Sequence, residues 1–500
     1  MFKRNSNFKA LKDKDMQGKK TYEETLFLHF QLSSKVPENN FYRRLKAILD
    51  LSFVRKLTAG YYGTEGQRSI DPEVFFKLML IGYIENINSD RKIIEQASMR
   101  MDMLYYLGYN IDEALPWHST LSRTRQLYGE ELFLSVFRQI LSLCLSEGMV
   151  DGRSQAMDSA FLRANASMES LQVQMEVEMN EFYQELSESE KQEQEQPVNH
   201  LKLVADDGTK EKDSKTKTKN KGKQNLIYKS TTDPDASISM KKGTKKGLHY
   251  YGQISVDTAS HVICGAMADL ANQRDAQCLP ALLGQTKDSL AAHHLEVEEV
   301  LADCNYSSGP VLQQLEEEGI KGYIPNLGNY LPARKGFTYV PEGDYYLCQA
   351  GKKIPFKNLR TDHRDNSQTK IYTSSVKDCK GCIWSETCIK KEKYKHIEDT
   401  IYKPYYDRMH QRMHTRKGKA KRHLRSSTVE PVLGTLLQFR RMRRVNTKGL
   451  KLANKHVLLA ASAYNIKKLL AFVSSKKTAA VAVAKDTIHS CDTVLNNLLF

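Results

Sequence analysis

The sequence predicts an α/β fold, a mixed sheet flanked by helices, behind an all-helical N-terminal region. Two observations predict it. Residues 20–150 carry apolar positions at helical spacing, and from Arg153 the period drops to two. The segments then run strand, strand, strand, helix, strand, helix, strand, an order that builds a mixed sheet. With 500 residues, 40% of them hydrophobic, the chain can bury a sizeable core and hold two to four domains.

In the helical region, PEVFFKLMLIGYIENI (72–87) follows Ser69 and Asp71, with Pro72 in a first turn that tolerates it. Its apolar positions are nearly continuous, so this helix is expected to be buried on most sides. SDRKIIEQASMRMDMLYYLG (89–108) reads as one helix ending at Gly108. PWHSTLSRTRQLYGEELFLSVFRQILSLCLSEG (116–148) reads as two, the first capped by Ser119 or Thr120 and carrying Arg123 and Arg125. Arginines at a helix start fit DNA binding, and they also fit a plain bundle.

In RSQAMDSAFLRANAS, Ala156, Asp158 and Ala160 alternate with Met157, Ser159 and Phe161, as in a strand. HYYGQISVDTAS (249–260) and HVICGAMADL (261–270) are two more strands. The helix DAQCLPALLGQTKDSLAAH (275–293) leads to a strand in EVEEVLADCNY (296–306), the helix GPVLQQLEEEG (309–319) and the strand GYIPN (322–326). Between the first two strands, residues 168–196 are acidic and read as helix. Residues 210–224 are lysine-rich and free of hydrophobes, and they read as a solvated spacer.

Formal net charge is +16, which favours a polyanion such as nucleic acid as partner. The positive charge concentrates in HQRMHTRKGKAKRHLR (410–425) and QFRRMRRVNTKGLK (438–451). The N-terminus lacks the apolar stretch of a signal peptide, and HVLLAASAYNIKKLLAFV, broken by Asn465, Lys467 and Lys468, suits a core helix better than a membrane span. A cytoplasmic protein without a membrane partner is expected. Nine cysteines, an odd number, do not suggest a disulfide framework.

Asp158 lies within a predicted strand and Asp303 at the end of the apolar run VEEVLA, places where a carboxylate needs compensation. Glu430 opens what reads as a helix with Pro431 in its first turn. Three such groups supply the hard oxygens that Mg²⁺ and Mn²⁺ prefer. Among 59 Asp and Glu residues, spacing alone does not select these three.

A resemblance does. SIDPEVFFKLMLIGYI, WHSTLSRTR, MDSAFLRANAS, DPDASISMKKGTKKGLHYYGQISVDT, MADLANQRDAQCLPALL, LADCNYSSGPVLQQLEEEGIKGYIPN and VEPVLGTLLQFRRMRRVNTKGLKLANKHVLLAASAYNIKKLL occur in that order. From about residue 40 to 475 the chain resembles bacterial insertion-sequence transposases of the DDE type. The resemblance implies an RNase H-like catalytic domain, Asp158, Asp303 and Glu430 as catalytic and metal-holding residues, and Mg²⁺ or Mn²⁺ as cofactor. It implies double-stranded DNA as partner, both element ends and target, a homo-oligomer on that DNA, and a nucleoid-associated location. Related enzymes carry a tyrosine and an arginine before the glutamate and a lysine one or two turns after it. Here Arg425 precedes Glu430, Arg422 and His423 stand where the tyrosine is expected, and Leu437 and Gln438 stand at the lysine position. Phosphate contacts then fall to Arg440 or Arg441.

Cys379 and Cys382 form a CxxC, with Cys388 following and Cys348 upstream, a set suited to structural Zn²⁺. Unliganded cysteines and a redox pair are the alternatives, the latter without its usual βαβ setting. The expected organisation is a helical DNA-binding domain (1–150), a catalytic domain in two parts (151–330, containing the charged insertion 168–245, and 410–475), a cysteine-bearing insertion (331–409) and a tail (476–500). The expected activity is metal-dependent DNA cleavage and strand transfer. Rivals are an inactive DNA-binding derivative and an endonuclease that never joins strands.

Overall fold

The computed structural model describes residues 31–498 apart from 64–68, 174–223, 240–245, 329, 331 and 363–366, and side chains only as far as Lys476. The spacer expected at 210–224, apart from Gln224 at the start of a short helix (Gln224–Ile227), and most of the acidic helix lie outside the described residues. The start of that helix differs from expectation. Met168–Ser170 is a 3₁₀ turn, and Leu171–Val173 pairs with Tyr228–Ser230 as a strand.

Helix α1 (Phe41–Ile48) starts at Asn40, whose side chain accepts hydrogen bonds from the Tyr42 and Arg43 amides. Asp71 caps α2 (Pro72–Ile84) through the Glu73 amide at 2.8 Å, and every residue from Val74 to Ile84 is buried. The stretch expected as one helix is two, α3 (Asp90–Met99) and α4 (Met101–Leu107), with Arg100 in an extended conformation between them. The Arg100 guanidinium pairs with Asp102 at 2.7 Å and Glu85 at 3.4 Å and lies over the Tyr42 ring. These contacts hold the break. Gly108, at φ 85°, ends α4 in the left-handed region that glycine enters without strain. Helix α5 (His118–Leu127) follows Trp117, which makes no side-chain cap, so Ser119 and Thr120 sit inside the first turn and not at its cap. Helix α6 (Glu130–Ser146) completes the set.

The central sheet contains β1 (Ser154–Arg163), β2 (Gly247–Asp257), β3 (Ile263–Leu270), β4 (Glu299–Leu301) and β5 (Lys321–Tyr323), with α7 (Asp275–Ala291) and α8 (Gly309–Glu317) between the later strands. Spatially the order is β3-β2-β1-β4-β5, and Ser237–Ser239 adds a short strand beside β2. β1 runs antiparallel to β2 and parallel to β4, which is parallel to β5. Three antiparallel strands continued by two parallel ones form the RNase H-like sheet.

After β5 comes a meander of five strands, β6 (Phe337–Val340), β7 (Tyr345–Cys348), β8 (Lys353–Asp362), β9 (Ser367–Thr373) and β10 (His396–Thr400). It has its own small core of Tyr346, Ile354, Tyr372 and Ile397. Helices α9 (Lys403–His414), α10 (Arg416–Phe439) and α11 (Leu450–Leu498) then return to the main body. Helix α11 packs against α2, α6 and β3, so one continuous core joins the N-terminal helices to the sheet. Its apolar part, Leu450–Lys476, is long enough to cross a membrane, but residues such as Val457, Ala460 and Leu469 are buried inside the protein.

Both edges of the sheet are closed by side chains. On β3, Asn465 accepts from the Ile263 amide at 3.0 Å and donates to its carbonyl at 2.8 Å. Gln285 and Asn454 accept from the Ala266 and Ala268 amides at 2.7 and 3.0 Å. At β5, Arg412 of α9 donates to the Gly322 carbonyl at 2.9 Å.

Candidate active site

Strand β1 is central, and Asp158 stands on it opposite Ile254 of β2. Its side chain is 17% exposed, and one oxygen accepts from the Ser159 amide at 2.8 Å. Asp303 lies just beyond β4 at the cap of a 3₁₀ turn, Cys304–Tyr306, where it accepts from the Asn305 amide at 2.9 Å. Glu430 lies in the interior of α10, not at a helix start. The helix begins fourteen residues earlier at Arg416, and Pro431 is carried inside it. A proline there cannot bond to the Ser427 carbonyl, so the helix lacks one rung directly beneath the glutamate.

One guanidinium connects these acids. Arg425 Nη1 lies 2.8 Å from Asp158 Oδ2, and Nη2 lies 3.6 Å from Glu430 Oε1. Asp303 also feels its charge. Burial pushes the Asp158 carboxyl up to about 6, with repulsion from Asp303 adding to it, although the Ser159 amide and Arg425 pull the other way. Burial likewise raises Asp303, with Asp275 contributing by repulsion. Among the described residues, no three His, Cys, Asp or Glu side chains stand gathered as a metal site, and Arg425 separates Asp158 from Glu430. Beneath the acids, Tyr306 donates to Gln253, which donates to buried Asp275 at 3.1 Å. That brace was not legible in the sequence.

Residues 30–127 match the family described as Transposase domain (DUF772), and residues 347–470 match the family described as Transposase DDE domain. Two separate parts of the chain are thus similar to transposase families, the second to a DDE domain. The second match takes in Glu430 and the four clustered cysteines, while Asp158 and Asp303 lie between the two. No curated protein matches. A solved piggyBac transposase synaptic complex with hairpin DNA is similar to this chain at 10% identity and a TM-score of 0.30, covering 88% of this chain and 75% of that one.

The arginines expected to meet DNA divide into two groups. Arg123 is exposed on α5. Arg125 is not available. It is paired with Asp90 at 2.7 Å and touches Met79, because its side of the helix faces α2 and α3. Arg440 is also turned inward, 8% exposed beside the Ile84 carbonyl. Both guanidiniums are thus engaged within the protein. Arg425 is engaged by the acids, and Arg441 forms the back of a cleft described below.

Cys348, Cys379, Cys382 and Cys388 line one cavity of about 500 Å³ in the insertion, with Ser374, Trp384 and Lys395. Burial pushes the Cys388 thiol up, Lys395 opposes this, and the other three cysteines add to it. Ser374 Oγ lies 3.1 Å from Cys379 Sγ. Cys144, Cys264 and Cys278 are buried free thiols elsewhere.

Proposed function

We propose that this transposase cuts DNA at the ends of its element and joins them to target DNA, using Asp158, Asp303 and Glu430. The observation that carries this reading is Arg425, one mostly buried cation faced by three acids from a strand, a turn and a helix. The donor set fits Mg²⁺ or Mn²⁺, since it offers only carboxylate oxygens, and burial holds two of the acids above their ordinary range. Bound there, divalent ions would supply activation of the attacking oxygen and stabilisation of the leaving one. Asp158 and Asp303 present their oxygens from rigid positions, and Glu430 closes the site from α10. Arg425 balances the acids in the absence of cations and is set to meet phosphate once they are neutralised. Water and then a DNA 3′-hydroxyl are the nucleophiles, so no serine or cysteine is required.

In this reading residues 1–150 recognise the element end, copies of the chain assemble on DNA, and the catalytic part spans 151–330 and 410–475. The insertion, 331–409, takes its stability from zinc held by Cys348, Cys379, Cys382 and Cys388. Purified protein should then carry zinc, and Cys382→Ser should lose it; a zinc-free wild-type protein would refute that assignment.

The central test is Asp303→Asn, which keeps volume and removes charge. Cleavage should fall by roughly a thousandfold or more, the size of several kcal/mol of lost charge stabilisation. Gel-shift binding to DNA should persist, because affinity rests on basic residues. Cleavage at the wild-type rate would overturn the assignment, and joint loss of binding and cleavage would make Asp303 structural. A DNA-binding protein without chemistry is the second reading, favoured by Leu437 at the lysine position. Wild-type protein that binds and never cleaves in Mg²⁺ or Mn²⁺ would select it.

A further inference from the structure

The α2–α3 loop and the segment after α10 enclose a cleft of about 610 Å³, lined by Asn86, Asn88, Leu437, Gln438, Arg441, Arg443, Arg444 and Asn446. We infer that this cleft seats a backbone phosphate of DNA, an inference that rests on the transposase reading and adds a specific contact to it.

The lining contains three guanidiniums and four side-chain amides, and no carboxylate. Among the described residues no acid pairs with Arg441, Arg443 or Arg444. The nearest acid that Arg441 feels, Asp90, is already held by Arg125 at 2.7 Å. Arg441 is 8% exposed, with its Nε and Nη1 buried and lacking acceptors, while Nη2 reaches the Asn88 carbonyl at a long 3.4 Å. A buried guanidinium with unused donors is costly unless an anion compensates. The protein nevertheless fixes it there. Arg441 adopts φ 62°, its amide donates to Asn86 Oδ1 at 3.0 Å, and its carbonyl accepts from His456 at 3.0 Å. Its guanidinium lies over the Tyr83 ring at 4.6 Å. Gly82 makes room, since a Cβ there would come within 2.9 Å of Arg441 Nη1.

The rim is accessible, with Asn86, Asn88, Gln438, Arg443, Arg444 and Asn446 all exposed. The Asn86 and Asn446 amides already donate across the cleft, to the Gln438 carbonyl at 3.2 Å and the Asn88 carbonyl at 3.0 Å. The guanidinium donors around the opening are what match phosphate oxygens. No aromatic ring lines the cleft, so it offers no platform for stacking a base. Its location agrees with a DNA track. Leu437 follows Glu430 by seven residues on α10, which places the cleft about 10 Å along the helix at 1.5 Å per residue. That is roughly three 3.4 Å steps along a DNA strand. The loop carrying Asn86 and Asn88 belongs to the N-terminal helices, so a phosphate here would tie them to the Glu430 helix.

The test measures binding of full-length protein to a random-sequence DNA duplex across a salt series, comparing wild type with Arg443→Ala/Arg444→Ala. Loss of one phosphate seat should reduce the log–log salt slope by about 0.9. Lysine at both positions should restore it. An unchanged slope in the alanine variant, with wild type binding normally, overturns this inference and leaves the transposase reading standing. Failure of wild type to bind any duplex instead undermines that reading. Inorganic phosphate forms a second arm. If it raises the wild-type melting temperature but not the variant's while the DNA slope stays the same, the seat serves a free phosphate and the DNA assignment fails. Both substituted side chains are exposed, and an unshifted melting temperature without ligand should show that the fold is retained.

Discussion

Two neighbouring places, one within α10 and one just beyond it, gather charges of opposite sign. Around Glu430, three acids share the single guanidinium of Arg425, and Asp158 is driven up to about 6. From Leu437, two turns on, begins a cleft with no acid, lined by Arg441, Arg443 and Arg444, and burial holds the Arg441 guanidinium below its ordinary range. The first place is complemented by cations and the second by anions. On the proposed function, metal-bearing DNA would supply both.

The comparison breaks first at Arg425. Arg425→Met leaves Asp158 buried without its partner, which should cost about 3 kcal/mol of stability in metal-free buffer. Mg²⁺ should then recover more of the melting temperature in the variant than in wild type. If Mg²⁺ shifts both equally, Arg425 does not occupy the position of a cation.

A smaller effect comes from behind the cleft. His456 is buried, and burial together with Arg441 lowers it to about 3. It stays neutral, donating from Nε2 to the Arg441 carbonyl and accepting at Nδ1 from the Tyr83 hydroxyl at 2.7 Å. The unfolded chain binds this proton near 6.5, so the unfolded state holds more protons between the two values. Stability is therefore present above about 6.5 and is lost as pH falls through that window toward 3. Between pH 6.5 and 5 the loss should be about 2 kcal/mol. Urea melts of wild type and His456→Asn across this range provide the check, with a flatter dependence expected for the variant. Equal slopes would show that His456 does not carry the acid sensitivity.

The sheet was readable because a period of two persists through β1 and β2 and the later strands alternate with helices. The three acids were singled out only through resemblance, because nothing local marks Asp158, Asp303 or Glu430 among 59 acidic residues. Pro431 misled the helix boundary. It reads as a first-turn proline, and α10 absorbs it in mid-course. The inward turn of Arg125 and Arg440 was hidden for a different reason. Arg125 depends on Asp90, and Arg440 reaches the Ile84 carbonyl 356 residues away. Contacts of such separation leave no trace in a local pattern. The cleft was missed likewise, although the arginine-rich run that supplies half of it was visible. Asn86 and Asn88 looked like ordinary loop residues until the fold placed them opposite that run.

The amides that close β3 and the arginine at β5 bear on how copies of this chain meet. A strand with free backbone groups invites another molecule to extend the sheet, which leads to open-ended association. Here Asn454, Asn465, Gln285 and Arg412 already occupy those groups. A second copy cannot add a strand at these positions without displacing side chains from satisfied bonds. If copies pair on DNA as proposed, that pairing is left to helical faces, to the insertion or to the nucleic acid itself, and these edge positions do not template open-ended growth of the sheet.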